Sequence, residues 1–457
     1  MATTARKPKV RRIDSSEKFK RLSHQDLLAH YISARKARVI TAIAIVLFLA
    51  WLLVFLLQPA PNYRLSDGRG IAIGAPEFER MLEALADGHF DRNSSVEVLS
   101  NGENYYPAEL EAIRNARQSV NLEAYIFKKG KIAQQFVDAL AERARAGVKV
   151  NVLIDGVGSF STSKGYFQKL LDAGGEVQFY HPIRWNTWLR YNNRTHRELL
   201  VIDGEVAFAG GAGIADHWLE GEKDHPRWRD TMFRFRGDAV NSLQGTFVEN
   251  WVESCGVVLN SARFFPGVER EGKVPVLVVN STPSQSNATR ARVLYQALLG
   301  SAQRRIYITT PYFLPDKALM EVLITAKRDR HLDVKVLVPG KKSDHMMTRS
   351  SSRGLYGKLL EAGVEIYEYQ PSMLHAKVML VDDDWVVVGS TNFDNRSFGI
   401  NDELSVTARS AELAERLTAD FARDLAQSER VTLESWKHRP FWQRGFEWAG
   451  WLISRHE

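Results

Sequence analysis

Residues 374–382, Leu-His-Ala-Lys-Val-Met-Leu-Val-Asp, contain the pattern from which the architecture of this chain can be predicted. In an extended strand residues two apart share a face, so we expect His375 and Lys377 to point into one pocket. The apolar run after Lys377 is typical of a buried strand, and Asp382 ends it. An imidazole, an ammonium and the hydroxyl and amide groups of residues 390–397 suit a phosphate ester. A single copy would more often be an ordinary strand with one surface histidine and one surface lysine.

The same pattern occurs upstream, in residues 195–204. His196 and Asp203 match His375 and Asp382. Three further pairs of segments match in the same order and at a nearly constant offset: 116–127 with 302–313, 148–153 with 334–338, and 170–174 with 359–363. Ordered matches of this kind indicate two copies of one α/β unit.

Hydrophobic periodicity predicts strands that alternate with helices. The helices are expected over 108–118, 132–146, 165–173, 238–254 and 411–426, and the strands over 120–127, 148–154 and 176–180. Such alternation predicts βαβ units with a mixed, mostly parallel sheet in each half. The Ser/Thr/Asn-rich segment 280–290 is the clearest break between the halves. We therefore expect the first half over 64–279 and the second over 291–457, with an aromatic C-terminal tail.

The N-terminal segments predict a membrane anchor. Residues 39–57 are nineteen residues without a charge, enough at about 1.5 Å per residue to cross a hydrocarbon layer of roughly 30 Å. A cleaved signal peptide is the alternative, but its apolar core is usually about 7–15 residues. Basic residues before the span place the leader, residues 1–38, in the cytoplasm and the catalytic body on the other side.

Charge is distributed unevenly. Residues 1–38 hold eleven Lys or Arg against three acidic residues, so the rest of the chain is nearly neutral despite a formal net charge of +7. This argues against a broad nucleic-acid-binding face and against nucleic acid as a partner. Cys255 is the one cysteine, which excludes an intrachain disulfide. The Trp- and Arg-rich tail 436–457 suits either a lipid interface or packing against the body. The loop 181–195 suits either head-group recognition or a plain surface connection.

The doubled His-x-Lys-(four residues)-Asp pattern, followed by Gly389-Ser390-Thr391-Asn392, resembles the phospholipase D superfamily. The anchor, residues 122–127, residues 310–315 and residues 389–403 resemble its bacterial cardiolipin synthase branch. The resemblance covers roughly residues 95 to 440. It implies two pseudo-symmetric α/β/α halves, a phospholipid substrate similar to phosphatidylglycerol, and a location in the bacterial inner membrane with the body on the non-cytoplasmic side.

The resemblance also implies a mechanism. One of His196 and His375 attacks phosphorus to give a phosphohistidine, while the other protonates the leaving alcohol and then deprotonates the acceptor. Asp203 and Asp382 would orient the imidazoles, and Lys377 would stabilise phosphoryl charge. No metal or other cofactor is expected. The residues expected to contact substrate are Glu198, Asn392, Ser390, Glu123, Tyr125, Arg396 and Glu403.

The first copy departs from the pattern at two positions. Glu198 stands where the second copy has Lys377, and Gly213 stands where it has Asn392. A carboxylate about 4–5 Å from a phosphate anion would cost roughly 3–4 kcal/mol at an effective dielectric near 20. Three explanations remain open: a Glu198 that is protonated or paired with Arg194 or Arg197, a cationic substrate or acceptor group, or a poor catalyst.

The sequence thus favours a membrane-anchored phosphatidyltransferase. Hydrolysis of the same bond by water is the alternative within enzymes. A lipid-binding pseudoenzyme with a degenerate first half-site is the non-enzymatic alternative. A superfamily nuclease is disfavoured by the nearly neutral body and by the anchor.

Overall fold

The structure is a computed structural model that describes residues 24–56, 63, 66, 70–185, 190–221, 226–267, 271–283, 289–440 and 443. By internal contacts the chain divides into two units, Met1–Pro59 and Ala60–Glu457. In the first unit, helix α1 spans His24–Leu56, and its side chains are described for residues 35–51. No helix within the described residues is both long and apolar enough to cross a membrane. The expected span 39–57 runs past the described side chains and stays a prediction, as does the orientation of the leader.

The second unit alternates helices with strands. Its helices are α2 Pro76–Ala86, α3 Gly102–Asn115, α4 Lys131–Arg145, α5 Gln168–Asp172, α6 Ala239–Cys255, α7 Arg290–Ser301, α8 Lys317–Arg328, α9 Met346–Glu361, α10 Asn395–Gly399, α11 Ala411–Leu425 and α12 Leu433–Lys437. The strands of the first half are β1 Phe90–Ser100, β2 Ser119–Ala124, β3 Lys149–Asp155, β4 Glu176–Tyr180, β5 Leu199–Ile202, β6 Val206–Gly210 and β7 Thr231–Gly237. Those of the second half are β8 Val274–Ser281, β9 Arg305–Thr309, β10 Phe313–Leu314, β11 Asp333–Pro339, β12 Glu365–Tyr369, β13 Val378–Val381, β14 Trp385–Gly389, β15 Phe393–Asp394, β16 Glu403–Arg409 and β17 Ser428–Val431.

Helix α4 illustrates why the predicted helices form. Ile132, Phe136 and Leu140 recur at spacing four and are buried on one face. The helix ends before Gly147, whose φ of +88° favours glycine. The helix expected over 132–146 is therefore confirmed to within one residue at each end.

Fifteen strands in the described part of the chain form one sheet, in the order β17-β12-β11-β9-β13-β14-β16-β8-β1-β7-β6-β5-β2-β3-β4. Parallel pairing occurs within β2–β3–β4 and β9–β11–β12, and the other neighbours are antiparallel. The mixed sheet is confirmed, but the expectation of a mostly parallel sheet is wrong. Each motif strand is followed by a short turn, and a short turn permits only an antiparallel neighbour.

The two halves repeat the order strand–helix–strand–helix–strand, from β1 to β3 and again from β8 to β11, where the two-residue strand β10 is inserted before α8. They share the sheet because β1 pairs with β8 antiparallel, with Phe90 opposite Leu277. Strand β8 also pairs with β16 of the second half. Strand β8 thus pairs with both halves, and the predicted boundaries at residues 279 and 291 stay a prediction.

The motif histidines lie just before strands β5 and β13, and each is fastened to the other half through its backbone. The amide of His196 donates to the carbonyl of Asp402 at 2.9 Å, and the amide of His375 donates to the carbonyl of Arg229 at 2.7 Å. Isolated bridges join Thr195 to Asp402 and Arg229 to Leu374. These contacts place both histidines where the halves meet.

Candidate active site

His375 is held by a carboxylate from the first half. Its Nδ1 lies 2.8 Å from Oδ2 of Asp230, which is fully buried. That carboxylate also accepts hydrogen bonds from Nε1 of Trp218 at 3.0 Å and from the amide of Thr231 at 2.8 Å. The rings of Trp218 and Trp228 pack on the imidazole at centroid distances of 5.5 and 5.4 Å. Because a carboxylate only accepts, the arrangement favours the tautomer with the proton on Nδ1, which leaves Nε2 as the nucleophilic nitrogen.

Lys377 lies beside the same imidazole. Its Nζ is 2.8 Å from Nδ1 and 3.0 Å from Nε2 of His375. Burial lowers the pKa of Lys377, although Asp230 and Glu403 oppose that change. Burial and the neighbouring ammonium also lower the pKa of His375, although the bond to Asp230 opposes them. Burial alone would raise the pKa of Asp230, but the His375 hydrogen bond and Lys377 lower it. The cluster therefore combines the neutral imidazole of His375 with the buried carboxylate of Asp230 and the nearby amine of Lys377.

His196 is held in the same way by the second half. Its Nδ1 lies 3.0 and 3.1 Å from the two carboxyl oxygens of Glu403, which is fully buried. The hydroxyl of Ser390 donates to the same carboxylate. The ring of Tyr125 packs edge-on against the imidazole, with the centroids 5.0 Å apart. Ser390 and Glu403, both predicted to contact substrate, form a hydrogen-bonded pair next to Nδ1 of His196, and their contact with substrate stays a prediction.

Each histidine thus receives its carboxylate from the opposite half. Asp230 immediately precedes β7 and Glu403 begins β16, which are equivalent strands beside the hairpins β5–β6 and β13–β14. The pairing is reciprocal, because His375 of the second half bonds Asp230 of the first and His196 of the first half bonds Glu403 of the second. Neither half can complete its own histidine pair.

The interpretation that Asp203 and Asp382 orient the imidazoles is wrong. Asp203 accepts hydrogen bonds from the amides of residues 117–119 at 2.7–2.8 Å. Asp382 accepts from the amides of residues 303–305 at 2.7–3.1 Å. Both aspartates have positive φ, 55° and 53°, in the turn that ends the motif strand. Asp203 therefore fixes the start of β2 to the turn of the β5–β6 hairpin. Asp382 fixes the start of β9 to the turn of the β13–β14 hairpin in the same way.

Glu198 lies within the site and is buried. Its Oε1 accepts hydrogen bonds from the amides of Tyr125 and Ile126, both at 3.2 Å. Burial raises its pKa well above the ordinary value, although the two amides and Lys377 oppose that shift. The proposed arginine partners are engaged elsewhere in the described structure. Arg197 bonds Glu249 and the Thr246 carbonyl, and Arg194 bonds the His181 carbonyl and Asp155.

The other predicted contact residues are distributed differently. Asn392 is buried, and its Oδ1 has no hydrogen-bond partner among the described residues. Glu123 is fully buried behind the motif, where it accepts hydrogen bonds from the hydroxyl of Thr195 and from Nδ2 of Asn250. Burial raises the pKa of Glu123 to about 7. Arg396 bonds the side chain and carbonyl of Asn192 at 2.8 Å. Glu123 and Arg396 therefore position the chain around residues 192–195.

Sequence reasoning missed four residues beside His375, namely Asp230, Trp218, Trp228 and His217. His217 packs between the two tryptophans at 4.3 and 4.1 Å, and burial lowers its pKa to about 4. One signal was available for Asp230. It stands immediately before a strand of the first copy, where Glu403 stands in the second copy.

Two aromatic segments are described only in part. In the loop 181–195, Trp185 is 90% exposed and Tyr191 is 56% exposed. In the tail, Nε1 of Trp436 donates to the carbonyl of Arg353 at 2.7 Å, so this residue packs against the body. The rest of the tail, apart from residue 443, lies outside the described residues beyond residue 440.

Comparisons with known proteins identify the relatives of this chain. A family model described as cardiolipin synthase, phospholipase D-like domain, matches residues 110–224 and 295–425. A cardiolipin synthase of Geobacillus sp. is 36% identical over 79% of this chain and 72% of its own length. The major cardiolipin synthase of Bacillus subtilis is 33% identical over 80% of this chain and 76% of its own. The fold resembles that of a phosphatidylserine synthase from Haemophilus influenzae, with a TM-score of 0.62, 15% identity, and coverage of 83% of this chain and 97% of that chain.

Proposed function

The chain belongs to the family of phospholipase D-like cardiolipin synthases, and we propose that it transfers a phosphatidyl group from one phosphatidylglycerol-type lipid to a hydroxyl of another. The products would be a cardiolipin and free glycerol. Family membership makes it a phosphatidyltransferase. The choice of phosphatidylglycerol as donor and acceptor is the proposal.

The first half-reaction needs one nucleophile and one acid. Nε2 of one imidazole attacks phosphorus, a P–N bond forms and the P–O bond to the leaving glycerol breaks. The second imidazole donates its Nε2 proton to the leaving oxygen, so glycerol departs neutral. Asp230 and Glu403 keep the Nδ1 proton of each imidazole in place and stabilise the positive charge that develops. Lys377 and Asn392 stabilise the phosphoryl oxygens in the transition state.

The second half-reaction reverses these roles. The imidazole that lost its proton accepts one from the hydroxyl of a second lipid, whose oxygen attacks phosphorus as the P–N bond breaks. Water would give phosphatidic acid by the same route, so exclusion of water decides between transfer and hydrolysis. Packing of Trp218 and Trp228 on His375 favours a desolvated site.

The single observation that carries the proposal is the reciprocal pairing of His375 with Asp230 and His196 with Glu403. A phosphohistidine mechanism requires two imidazoles with opposite protonation at Nε2, each held in one tautomer. Two histidine–carboxylate pairs at the junction of the halves support the proposal, because a carboxylate at Nδ1 favours one tautomer of each imidazole.

We also propose that the protein is membrane-anchored, with its catalytic body on the non-cytoplasmic side of a bacterial inner membrane. The uncharged run of residues 39–57 and the basic leader support this. The described side chains of helix α1 include exposed apolar residues, among them Ile40 at 66% and Leu47 at 65%.

The test is lipid turnover by the purified full-length chain in phosphatidylglycerol vesicles, with products identified by mass spectrometry. Wild type should produce cardiolipin and glycerol, and His375→Ala and His196→Ala should each lose activity by at least about 1,000-fold. His438→Ala is the matched control, because His438 is an exposed histidine at the end of α12.

Three outcomes would contradict the proposal. Phosphatidic acid as the main product in the presence of excess acceptor would identify a hydrolase. Turnover that survives either histidine substitution would exclude the two-histidine mechanism. Lipid binding without turnover in wild type would identify a pseudoenzyme.

A further inference from the structure

Glu198 and Gly213, the two residues at which the first motif departs from the second, lie in contact. A side chain at Gly213 would begin 2.9 Å from Oε1 of Glu198 and 2.6 Å from the carbonyl oxygen of Ile126. Both distances are too short for a normal Cβ contact. The carboxyl group of Glu198 therefore occupies the space that a side chain at residue 213 would need.

The second half provides an internal comparison. The bridge between Phe127 and Ile214 corresponds to the pairing of Phe313 with Phe393. The second half nevertheless accommodates the side chain of Asn392 at the position equivalent to Gly213. In the first half Glu198 accepts from the two amides of residues 125–126, and backbone hydrogen bonds to Ile214 hold that segment beside Gly213. Lysine could not accept those hydrogen bonds.

Glu198 and Lys377 are close enough to influence each other electrostatically, because Lys377 lowers the pKa of Glu198 and Glu198 raises the pKa of Lys377. A side chain at Gly211 would begin 3.0 Å from Cδ of Lys377 and 2.7 Å from Oδ1 of Asp230. Gly211 and Gly213 are two residues apart, so the side chains of Lys377 and Glu198 approach the same short stretch of chain.

The surroundings of Glu198 favour a neutral acid. The charged and titratable groups around it are Lys377, Asp230, Tyr106 and Tyr125, together with Glu109 and Glu123, which line a cavity of about 10 Å³ with it. Among the described residues, none donates a hydrogen bond to its Oε2. A carboxylic acid that accepts at Oε1 can donate from Oε2, whereas a carboxylate cannot donate.

We propose that Glu198 acts as a neutral hydrogen-bond donor to a phosphoryl oxygen, and that Gly213 leaves the space this carboxyl group needs. The substrate phosphate is then held by one cation, Lys377, where two intact motifs would supply two. This inference rests on the proposed function. The inference predicts which phosphate the site prefers. A site with one cation and one neutral donor suits a singly charged phosphodiester and disfavours the more highly charged phosphomonoester of phosphatidic acid.

The test compares Glu198→Gln, Glu198→Ala and the double variant Glu198→Lys/Gly213→Asn with wild type. Glutamine keeps a neutral donor, so activity at pH 6 should fall less than about 10-fold, whereas alanine should cost about 100-fold or more. Wild-type activity should decline at high pH as Glu198 ionises, and Glu198→Gln should lose that decline. Glu109→Gln is the matched control, because it removes a second buried carboxyl from the same cavity and should keep the decline.

Two measurements do not depend on turnover. Infrared difference spectra of wild type against Glu198→Gln should contain the carbonyl band of a protonated acid. Binding of phosphatidic acid vesicles at neutral pH should be at least about 10-fold tighter for Glu198→Lys/Gly213→Asn, because a second cation is restored. Glu198→Lys alone should gain less affinity, because Gly213 and the segment 125–126 leave the new lysine side chain misplaced. Thermal unfolding verifies that each variant is folded.

An unchanged high-pH decline in Glu198→Gln, together with a carboxylate band in place of the acid band, would overturn the inference. Equal binding of phosphatidic acid by wild type and the double variant would overturn the specificity. If wild type turns over no phospholipid, the proposed function fails by itself, while the infrared band still decides whether Glu198 is protonated.

Discussion

Asp230→Asn distinguishes the cross-half pairing from the pairing within each motif that the sequence suggests. Oδ2 of Asp230 faces both Nδ1 of His375 and Nε1 of Trp218, and Oδ1 accepts from the amide of Thr231. An asparagine has one oxygen and one amide group. In either orientation its NH₂ faces an N–H donor, from Trp218 or from Thr231, so one buried donor loses its partner.

The magnitude follows from these contacts. An unsatisfied buried donor costs about 1–3 kcal/mol, so the free energy of unfolding should fall by that amount. When the NH₂ faces His375 it donates to Nδ1, which moves the imidazole proton to Nε2 and removes the nucleophilic lone pair. In a serine-protease triad the same change lowers kcat by about 10⁴-fold, so we expect a loss of about 10³–10⁴-fold in lipid turnover.

Asp203→Asn is the matched comparison. Asparagine tolerates the left-handed backbone of residue 203, but its NH₂ would face the amide of Arg117 or those of Gln118 and Ser119. Stability should fall by about 1–3 kcal/mol, as in Asp230→Asn, while turnover per folded molecule stays within about 3-fold of wild type.

The assay is initial-rate cardiolipin formation in phosphatidylglycerol vesicles, corrected for the folded fraction measured by circular dichroism. A 1,000-fold loss in folded Asp203→Asn would refute the reasoning, because Asp203 would then act on His196. So would an Asp230→Asn enzyme that turns over lipid at the wild-type rate.

Three further predictions follow from the buried ionisable groups. Glu403→Gln should lower turnover by at least about 100-fold through His196, whereas Ser390→Ala, which removes one hydrogen bond to Glu403, should cost about 5-fold; equal losses would show that Ser390 contacts the substrate itself. His217 has a pKa lowered to about 4 by burial, so the unfolded chain binds the proton first and stability is lost as pH falls below about 6.5. Between pH 7 and pH 5 the free energy of unfolding of wild type, measured by denaturant titration, should fall by about 2 kcal/mol more than that of His217→Gln. An equal fall in the two proteins would exclude this. Glu123 has a pKa raised to about 7 by burial, so its contribution is lost as pH rises from about 4.5 towards 7. Between pH 4.5 and pH 8 the free energy of unfolding of Glu123→Gln should fall by about 3 kcal/mol less than that of wild type. A fall of about 100-fold in the turnover of Glu123→Gln would instead support direct contact with substrate.

Glu198 illustrates how far local pattern reasoning reaches. The sequence identified the departure at this residue and the departure at Gly213 separately, and it left the arginine partners open. Strand alternation predicted that Glu198 shares a face with His196, although residues 196–198 precede strand β5, and a contact between Glu198 and substrate stays a prediction. That Arg194 and Arg197 bond other groups, and that the carboxyl fills the space over Gly213, depends on side-chain packing that spacing does not encode.

The error at Asp382 has a simple physical cause. Asp382 lies seven positions after His375, and at about 3.3 Å per residue an extended chain carries the carboxylate more than about 20 Å away. Strand geometry alone therefore argues against an imidazole partner seven residues along a strand. The prediction followed the analogy with a catalytic triad and did not take this distance into account.

The sequence by itself determined the repeated unit, the helices of the body and the two histidines. Each of these depends on periods of two or 3.6 residues, or on direct comparison of two segments. The partners of the histidines were decided only by the tertiary structure. Asp230 lies 145 residues before His375, and Glu403 lies 207 residues after His196. Such pairs form because β1 and β8 join the copies into one sheet, and no local pattern records which segments of the two copies then face each other.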